Sequence, residues 1–137
     1  EDQIYQCVIA GAAVTDPDMQ MDYYRYRIRG ASKIEQLTTW DGAVSPIKEV
    51  TKINVPMLVV HGDNDQRVPP EHFDKYIVAL DKANVDYDKL ILEGADHFSN
   101  TLFYKHKMSL YSSMLEFLSD DCGLLSETQT VASIQEP

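Results

Sequence analysis

Two groups of polar side chains in this chain could act together in breaking a covalent bond. Asp63, Asn64 and Asp65 directly follow a short apolar run, and Asp96 and His97 follow a second run further along the chain. A serine or cysteine becomes an effective nucleophile when a histidine takes its proton and a carboxylate holds that histidine in the required tautomer. A carboxylate and an imidazole brought together here would supply two of the three side chains of a nucleophilic triad.

The apolar runs that precede these residues are predicted to be buried strands. Residues 57–60 are rich in valine and are stopped by Gly62, a pattern typical of a strand covered on both faces. A second strand of the same kind is predicted over residues 87–92. Parallel strands present functional residues at their carboxyl ends, so the two polar groups are expected at one edge of a sheet.

The remaining elements complete an alternation of strands and helices. A further strand is predicted over residues 5–10, and as the first strand of the sheet it is expected to be an unpaired edge. Helices are predicted over residues 17–28, 31–45 (ending in a loop), 46–50, 69–83 (broken by Asn84) and 101–118. In the last of these helices one apolar stripe is shared by Met108, Tyr111, Leu115 and Leu118. This order predicts an α/β fold with a parallel sheet and right-handed crossovers.

Composition excludes several classes of partner. The chain has 137 residues, is 44% hydrophobic and carries a formal net charge of −10, which suits one domain with a real core. An acidic chain without basic clusters argues against binding to nucleic acid or to anionic membrane surfaces. No apolar run approaches the roughly 18 residues of a membrane span. No signal peptide is visible, and both a cytoplasmic and an exported location stay open.

The two cysteines, Cys7 and Cys122, give no expectation of a disulfide framework. Cys7 lies within an apolar run, so it is predicted to be a small buried hydrophobic residue with an inert thiol.

Four segments of the chain resemble the prolyl oligopeptidase family of serine peptidases. They are V-I-A-G-A-A-V-T-D at residues 8–16, S-P-I-K-E-V at 45–50, P-M-L-V-V-H-G-D-N-D-Q-R-V at 56–68 and G-A-D-H at 94–97. The resemblance is to the C-terminal part of the family's catalytic domain. It implies the C-terminal portion of an α/β-hydrolase fold, parallel strands with covering helices, over residues 1–123. Residues 124–137 are expected to form a flexible tail.

The resemblance also implies roles for two residues. It places the triad acid at Asp65, since Asp63 and Asn64 fill the variable positions of the H-G-x-x-D motif, and it places the base at His97. Triad residues in α/β-hydrolases follow the chain order nucleophile, acid, histidine, which these two positions fit. The implied activity is hydrolysis of peptide bonds in oligopeptides, with a peptide as substrate and without a cofactor.

The serine of the triad is expected upstream of residue 1, in a G-x-S-x-G turn. Residues 30–33 begin that pattern, but Ile34 stands where the second glycine should be. The family's propeller domain is also outside these residues. The remainder of its own catalytic domain is therefore an expected partner, and the segment alone is expected to be inactive. The number of subunits stays open.

Three alternatives to a peptidase remain. An esterase or thioesterase of the same fold would use the same acid and base, and a non-catalytic interaction module would keep the fold without the chemistry. A metal site is conceivable because the possible ligands include His61, Asp63, Asp65 and His97. Paired-histidine spacings such as H-E-x-x-H are missing, so no metal is predicted.

Structural roles are the competing interpretation for individual residues. Asp65 would otherwise only cap the turn before Val68, and His97 would be an ordinary loop histidine; their positions after two strands favour catalysis. His61 is interpreted as structural, since it ends a strand before a glycine turn. Arg67 is expected to pin its loop rather than to touch substrate. Two histidines on predicted helices are expected to face solvent, namely His72 and His106. Packing roles are expected for Tyr23, Tyr24 and Tyr26.

Overall fold

A sheet of three parallel strands forms the centre of the protein. The computed structural model describes residues 4–25, 44–98 and 103–123. The strands, in sheet order, are β1 (Val8–Gly11), β2 (Met57–Gly62) and β3 (Tyr87–Leu92). Both pairings are parallel, as the alternation of strands and helices predicts. Within the described residues β1 is an edge strand, which was also expected.

The central strand β2 is buried along its whole length. Its side chains alternate between two hydrophobic clusters, because successive residues of a strand point to opposite faces of the sheet. Met57 and Val59 belong to one cluster, whereas Leu58 and Val60 belong to the other. The continuous apolar run in the sequence therefore reflects a layer of structure on each face of the sheet.

The described residues form three α-helices, of which the second and the third cover the two faces of the sheet. They are α1 (Pro17–Arg25), α2 (Glu71–Ala83) and α3 (Tyr104–Asp120). Helix α2 packs Phe73, Ile77 and Leu80 against the face that carries Val59, and α3 packs Phe117 against the face that carries Leu58. In place of the short helix predicted over residues 46–50, two 3₁₀ turns occupy Pro46–Lys48 and Val50–Lys52.

The observed ends of the helices agree with the predicted ends to different degrees. Helix α2 ends as predicted before Asn84, which adopts a left-handed conformation with φ of 53°. Helix α3 begins at Tyr104, later than predicted. The predicted helix over residues 31–45, the end of the predicted helix 17–28 with Tyr26, and the expected tail at 124–137 lie outside the described residues, apart from residues 44 and 45.

The apolar stripe predicted in the last helix is exposed at three of its four residues and half-buried at Leu118. Met108, Tyr111 and Leu115 are exposed, whereas Leu110 and Met114 pack beside the buried Phe117 against β2 and β3. Helix α3 thus carries apolar residues on two faces, and periodicity alone does not tell which face meets the core. None of the described helices is both long and apolar enough to cross a membrane.

A disulfide joins Cys7 to Cys122, so the prediction of an unpaired, inert thiol at Cys7 is wrong. The two Cα atoms lie 5.6 Å apart although the residues are 115 positions apart in the chain. Strand β1 begins only at Val8, and its predicted start at residue 5 is also wrong. Cys7 therefore precedes the strand and meets Cys122, the second residue after the end of α3. A separation this large leaves no spacing pattern in the sequence.

Candidate active site

The first candidate residue, Asp65, lies in the loop that follows β2, which we call the acid loop (residues 63–68). Its Oδ1 atom accepts hydrogen bonds from the backbone N–H groups of Arg67 (2.8 Å) and Val68 (2.9 Å). The side chain is fully buried. Two donors on one carboxylate oxygen fix the rotation of the carboxylate and leave Oδ2 for another partner. Asp65 therefore does cap the turn before Val68, and it does so with only one of its two oxygens.

The second candidate residue, His97, is that other partner. Its Nδ1 atom lies 2.7 Å from Asp65 Oδ2, and 29% of its side-chain surface is exposed. An ionised carboxylate only accepts hydrogen bonds, so Nδ1 carries the proton and donates it to Asp65. In the neutral imidazole the lone pair then lies on Nε2. No described residue forms a hydrogen bond with Nε2.

The acid loop is fastened to the loop that carries His97. Asp63 Oδ1 accepts a hydrogen bond of 2.6 Å from the N–H of Gly94, and the N–H of Asn64 donates to the carbonyl of Ala95 (3.0 Å). Gly62 allows this close approach, because a Cβ atom there would lie 2.9 Å from the carbonyl carbon of Ala95 and closer still to its oxygen. The distance between Asp65 and His97 is thus set by contacts on both sides of the pair.

His61 has the structural role that the sequence indicated. It is buried at the end of β2, and its Nε2 donates a 2.9 Å hydrogen bond to the carbonyl of Val68. The same nitrogen is 3.7 Å from Asp65 Oδ2. His61 therefore closes the acid loop at its far end and helps to shield the carboxylate from water.

The expectation that two other histidines face solvent is wrong. His72 and His106 are both buried, although charged residues flank them in the sequence. Neighbours on a helix point in different directions, so a charged neighbour says little about the side chain beside it. His106 Nε2 donates to the carbonyl of Glu93 (3.1 Å), and this bond joins α3 to the loop before His97. Burial lowers the pKa of His72, and the carboxylate of Asp16 opposes that effect.

Helix α1 contacts the acid loop through side chains that the sequence did not single out for this role. Gln20 Nε2 and the Tyr24 hydroxyl each donate to the carbonyl of Arg67 at 2.8 Å. The Tyr23 hydroxyl donates to the carbonyl of Gln66 at 2.7 Å. Packing alone was expected of the two tyrosines, and nothing was expected of Gln20. A glutamine in an amphipathic helix carries no spacing signal that would have revealed its partner.

Two cavities meet at His97. One, of about 330 Å³, lies beside Arg67 and Phe98, whose ring is 4.9 Å from the guanidinium carbon. The Arg67 side chain thus contacts the residue that follows His97, and the expectation that it pins its loop stays a prediction. The other cavity, of about 160 Å³, is mostly apolar and opens at the carboxyl ends of β1 and β2, where Gly11 and Ala12 line it. A group entering either cavity would approach the imidazole.

A metal site is the alternative interpretation of these side chains. Across residues 4–25, 44–98 and 103–123, no group of three or more histidine, cysteine or acidic side chains is arranged to hold an ion. Asp63 and Asp65 instead direct carboxylate oxygens at backbone N–H groups of the two loops.

Comparison with known proteins confirms the fold. The acylaminoacyl peptidase of Pyrococcus horikoshii is similar with a TM-score of 0.71 and 15% identity over 93% of this chain. A puromycin-hydrolysing peptidase of Mycobacterium tuberculosis gives 0.67 and 16% over 91%. The dipeptidyl peptidase 4 of Porphyromonas gingivalis gives 0.61 and 20% over 85%. At these identities the likeness establishes architecture, that of part of an α/β-hydrolase domain.

The chain spans only a small part of those proteins, 22%, 20% and 16% of their respective lengths. The match to a family is more specific evidence than the similarity of the fold. The sequence model of the prolyl oligopeptidase family matches residues 1–124, which is most of the chain. The chain therefore belongs to the prolyl oligopeptidase family.

Proposed function

We propose that this chain supplies the acid and the base of a serine peptidase that hydrolyses peptide bonds in oligopeptides. Asp65 is the acid and His97 is the base of a Ser-His-Asp triad. The serine belongs to a part of the catalytic domain outside these 137 residues, upstream of residue 1. Residues 1–123 form the C-terminal part of that domain.

One observation carries the proposal, the hydrogen bond of 2.7 Å between Asp65 Oδ2 and His97 Nδ1. The carboxylate is buried and held by two backbone donors, so its orientation is set before substrate arrives. Preorganisation of this kind is what a triad needs, since the acid must hold the imidazole in one tautomer during the reaction. Because Nδ1 is bonded to the carboxylate and 29% of the side chain is exposed, Nε2 is the ring nitrogen that remains for a serine hydroxyl.

The arrangement assigns a task to each group. His97 Nε2 removes the proton of the serine hydroxyl as the oxygen attacks the carbonyl carbon of the peptide bond. Asp65 stabilises the imidazolium that forms and remains ionised. The imidazolium then gives its proton to the leaving amine, and the acyl group stays bound to the serine. A water molecule, deprotonated by His97 in the same way, attacks the acyl carbon, and the serine oxygen leaves and takes back a proton from the imidazolium. The reaction requires no cofactor.

Further support comes from the space beside His97 and from the similar structures. The apolar cavity at the ends of β1 and β2 offers room next to the imidazole for a side chain from the remainder of the catalytic domain. The similar proteins of known structure are named as an acylaminoacyl peptidase, a puromycin-hydrolysing peptidase and a dipeptidyl peptidase. A peptide is accordingly the proposed substrate, and the rest of the domain is the proposed partner.

The test uses the full-length protein that carries this chain and a fluorophosphonate probe, which acylates an activated serine. We expect labelling of the wild-type protein, loss of labelling in His97→Ala, and retained labelling in Asp74→Asn, an exposed carboxylate on α2. A wild-type protein that is not labelled would indicate a non-catalytic module. Faster turnover of acyl esters than of peptides would indicate an esterase or thioesterase. The 137-residue chain alone should not be labelled.

A further inference from the structure

A chain of hydrogen bonds begins at His72, which is fully buried in the first turn of α2. Its Nδ1 faces the N–H of Asp16 at 3.3 Å, and its Nε2 lies 2.7 Å from Gln20 Oε1. The hydroxyl of Thr15 donates a hydrogen bond of 2.8 Å to the carbonyl of His72. Because the N–H of Asp16 points at Nδ1, that nitrogen accepts. The proton is therefore on Nε2, which donates to Gln20.

This donation fixes the amide of Gln20. Its oxygen faces His72, so its nitrogen faces the carbonyl of Arg67 and donates to it at 2.8 Å. The two ends of the amide are not interchangeable, since a flipped amide would face a donor with a donor and an acceptor with an acceptor. Gln20 is also only 2% exposed, so water does not compete for these bonds.

The two carbonyls that α1 contacts belong to the peptide groups that hold Asp65. The carbonyl of Gln66 and the N–H of Arg67 form one planar peptide group, and the carbonyl of Arg67 and the N–H of Val68 form the next. Each N–H donates to Asp65 Oδ1. Each carbonyl accepts from α1, that of Gln66 from Tyr23 and that of Arg67 from Gln20 and Tyr24.

We propose that α1 positions the catalytic acid, with Gln20 and Tyr24 as positioning residues that act on Asp65 through the peptide group between Arg67 and Val68. In a planar trans peptide the N–H direction follows the carbonyl direction, so a held carbonyl aims the N–H at the carboxylate. The carboxylate in turn keeps Oδ2 directed at His97. This role rests on the proposed function, since it assumes that Asp65 and His97 act in catalysis.

The test measures turnover of a peptide substrate by the full-length enzyme with the variants Gln20→Leu, Tyr24→Phe and both together. We expect kcat of the double variant to fall by about 10- to 100-fold, because small displacements of catalytic groups have effects of that size. KM should change little, since neither residue lines the two cavities at His97. The control Asp22→Asn lies on the exposed side of α1 and should keep the wild-type kcat.

A second readout does not depend on turnover. The proton that His97 Nδ1 shares with Asp65 gives a far-downfield signal in the proton spectrum, and we expect the double variant to broaden or shift it. Should Gln20→Leu fail to fold, Tyr23→Phe with Tyr24→Phe removes only two hydroxyl groups and breaks one contact of α1 with each of the two peptide groups that hold Asp65. The double variant could instead keep the wild-type kcat and an unmoved signal while its melting temperature falls. That result would mean that α1 only stabilises the fold and does not position Asp65.

The two proposals fail in different ways. If the wild-type protein neither turns over peptide nor reacts with a fluorophosphonate, the proposed function is wrong. The downfield signal then still decides whether α1 positions Asp65 against His97. If the wild-type enzyme is active and the double variant equals it in kcat and in signal, the proposed function stands and the positioning role is wrong.

Discussion

The backbone carbonyl of Ala95 occupies the space where a side chain at Gly62 would lie. The contact involves backbone and not the end of a flexible side chain, so it cannot be relieved by a rotamer change. We expect Gly62→Ala to displace the loop that carries His97, to lower kcat/KM of the full-length enzyme by about 100-fold and to destabilise the protein by about 1–3 kcal/mol. Steady-state kinetics and thermal unfolding measure the two effects. Wild-type activity in this variant would show that the loops do not need this approach.

The two carboxylates of the acid loop should respond differently to amidation. Asp65→Asn places an amide where His97 needs an acceptor and should lower kcat by about 10⁴-fold, by favouring the wrong imidazole tautomer. Asp63→Asn keeps an oxygen that can still accept from the N–H of Gly94, so its effect should be small. Kinetics of the two variants under identical conditions make the comparison. The reverse order of effects would mean that Asp63 is the acid.

The bond between Cys7 and Cys122 should contribute strongly to stability. Closing a loop of 115 positions restricts the unfolded chain, and the loop-entropy relation gives about 4–5 kcal/mol for this length. The double variant Cys7→Ser, Cys122→Ser should therefore unfold at a lower denaturant concentration than the oxidised protein. Reduced wild-type protein serves as the matched control and should behave like the variant. Equal midpoints for the oxidised and reduced proteins would contradict this expectation.

Protonation of His72 should destabilise the protein in acid. Burial lowers the pKa of His72 in the folded state, so between the ordinary value of about 6.5 and the lower folded value the unfolded chain binds more protons. Stability contributed by His72 is accordingly present above pH 6.5 or so and declines as the pH falls through that window. Denaturant unfolding at a series of pH values measures the slope. His72→Leu should flatten it, and an unchanged slope would assign the acid sensitivity to other groups.

Sequence patterns were sufficient for the elements that obey a strict period. The valine-rich run of β2, the helical spacing of α2 and the end of that helix at Asn84 all follow from local rules, and each was predicted. Parallel strands bring their carboxyl ends together whatever the details of packing, so topology predicts that the polar group at residues 63–65 lies near His97, and the family resemblance then indicates Asp65 within that group. The contact of Asp65 with His97 across the sheet edge follows from topology and not from distance along the chain.

Features that depend on which faces meet in space were missed. His72 is buried because α1 lies over the start of α2, and no pattern within α2 reveals that neighbour. The face of α3 that meets the sheet was equally undetermined, since Met108 and Met114 lie on different apolar faces of one helix. Cys7 and Cys122 come together only after β1 and α3 are packed. In each case the deciding partner is distant in the sequence.

The cross-link between Cys7 and Cys122 has a consequence for a protein that encounters peptidases. Both Asp65 and His97 lie between the two cysteines, on a covalently closed ring of backbone. A single cut anywhere in that ring, even in an exposed loop, leaves the two pieces attached to each other. A protein cut once in this ring would migrate as one species in denaturing electrophoresis until a reductant is added. Asp65 and His97 would remain covalently linked to each other.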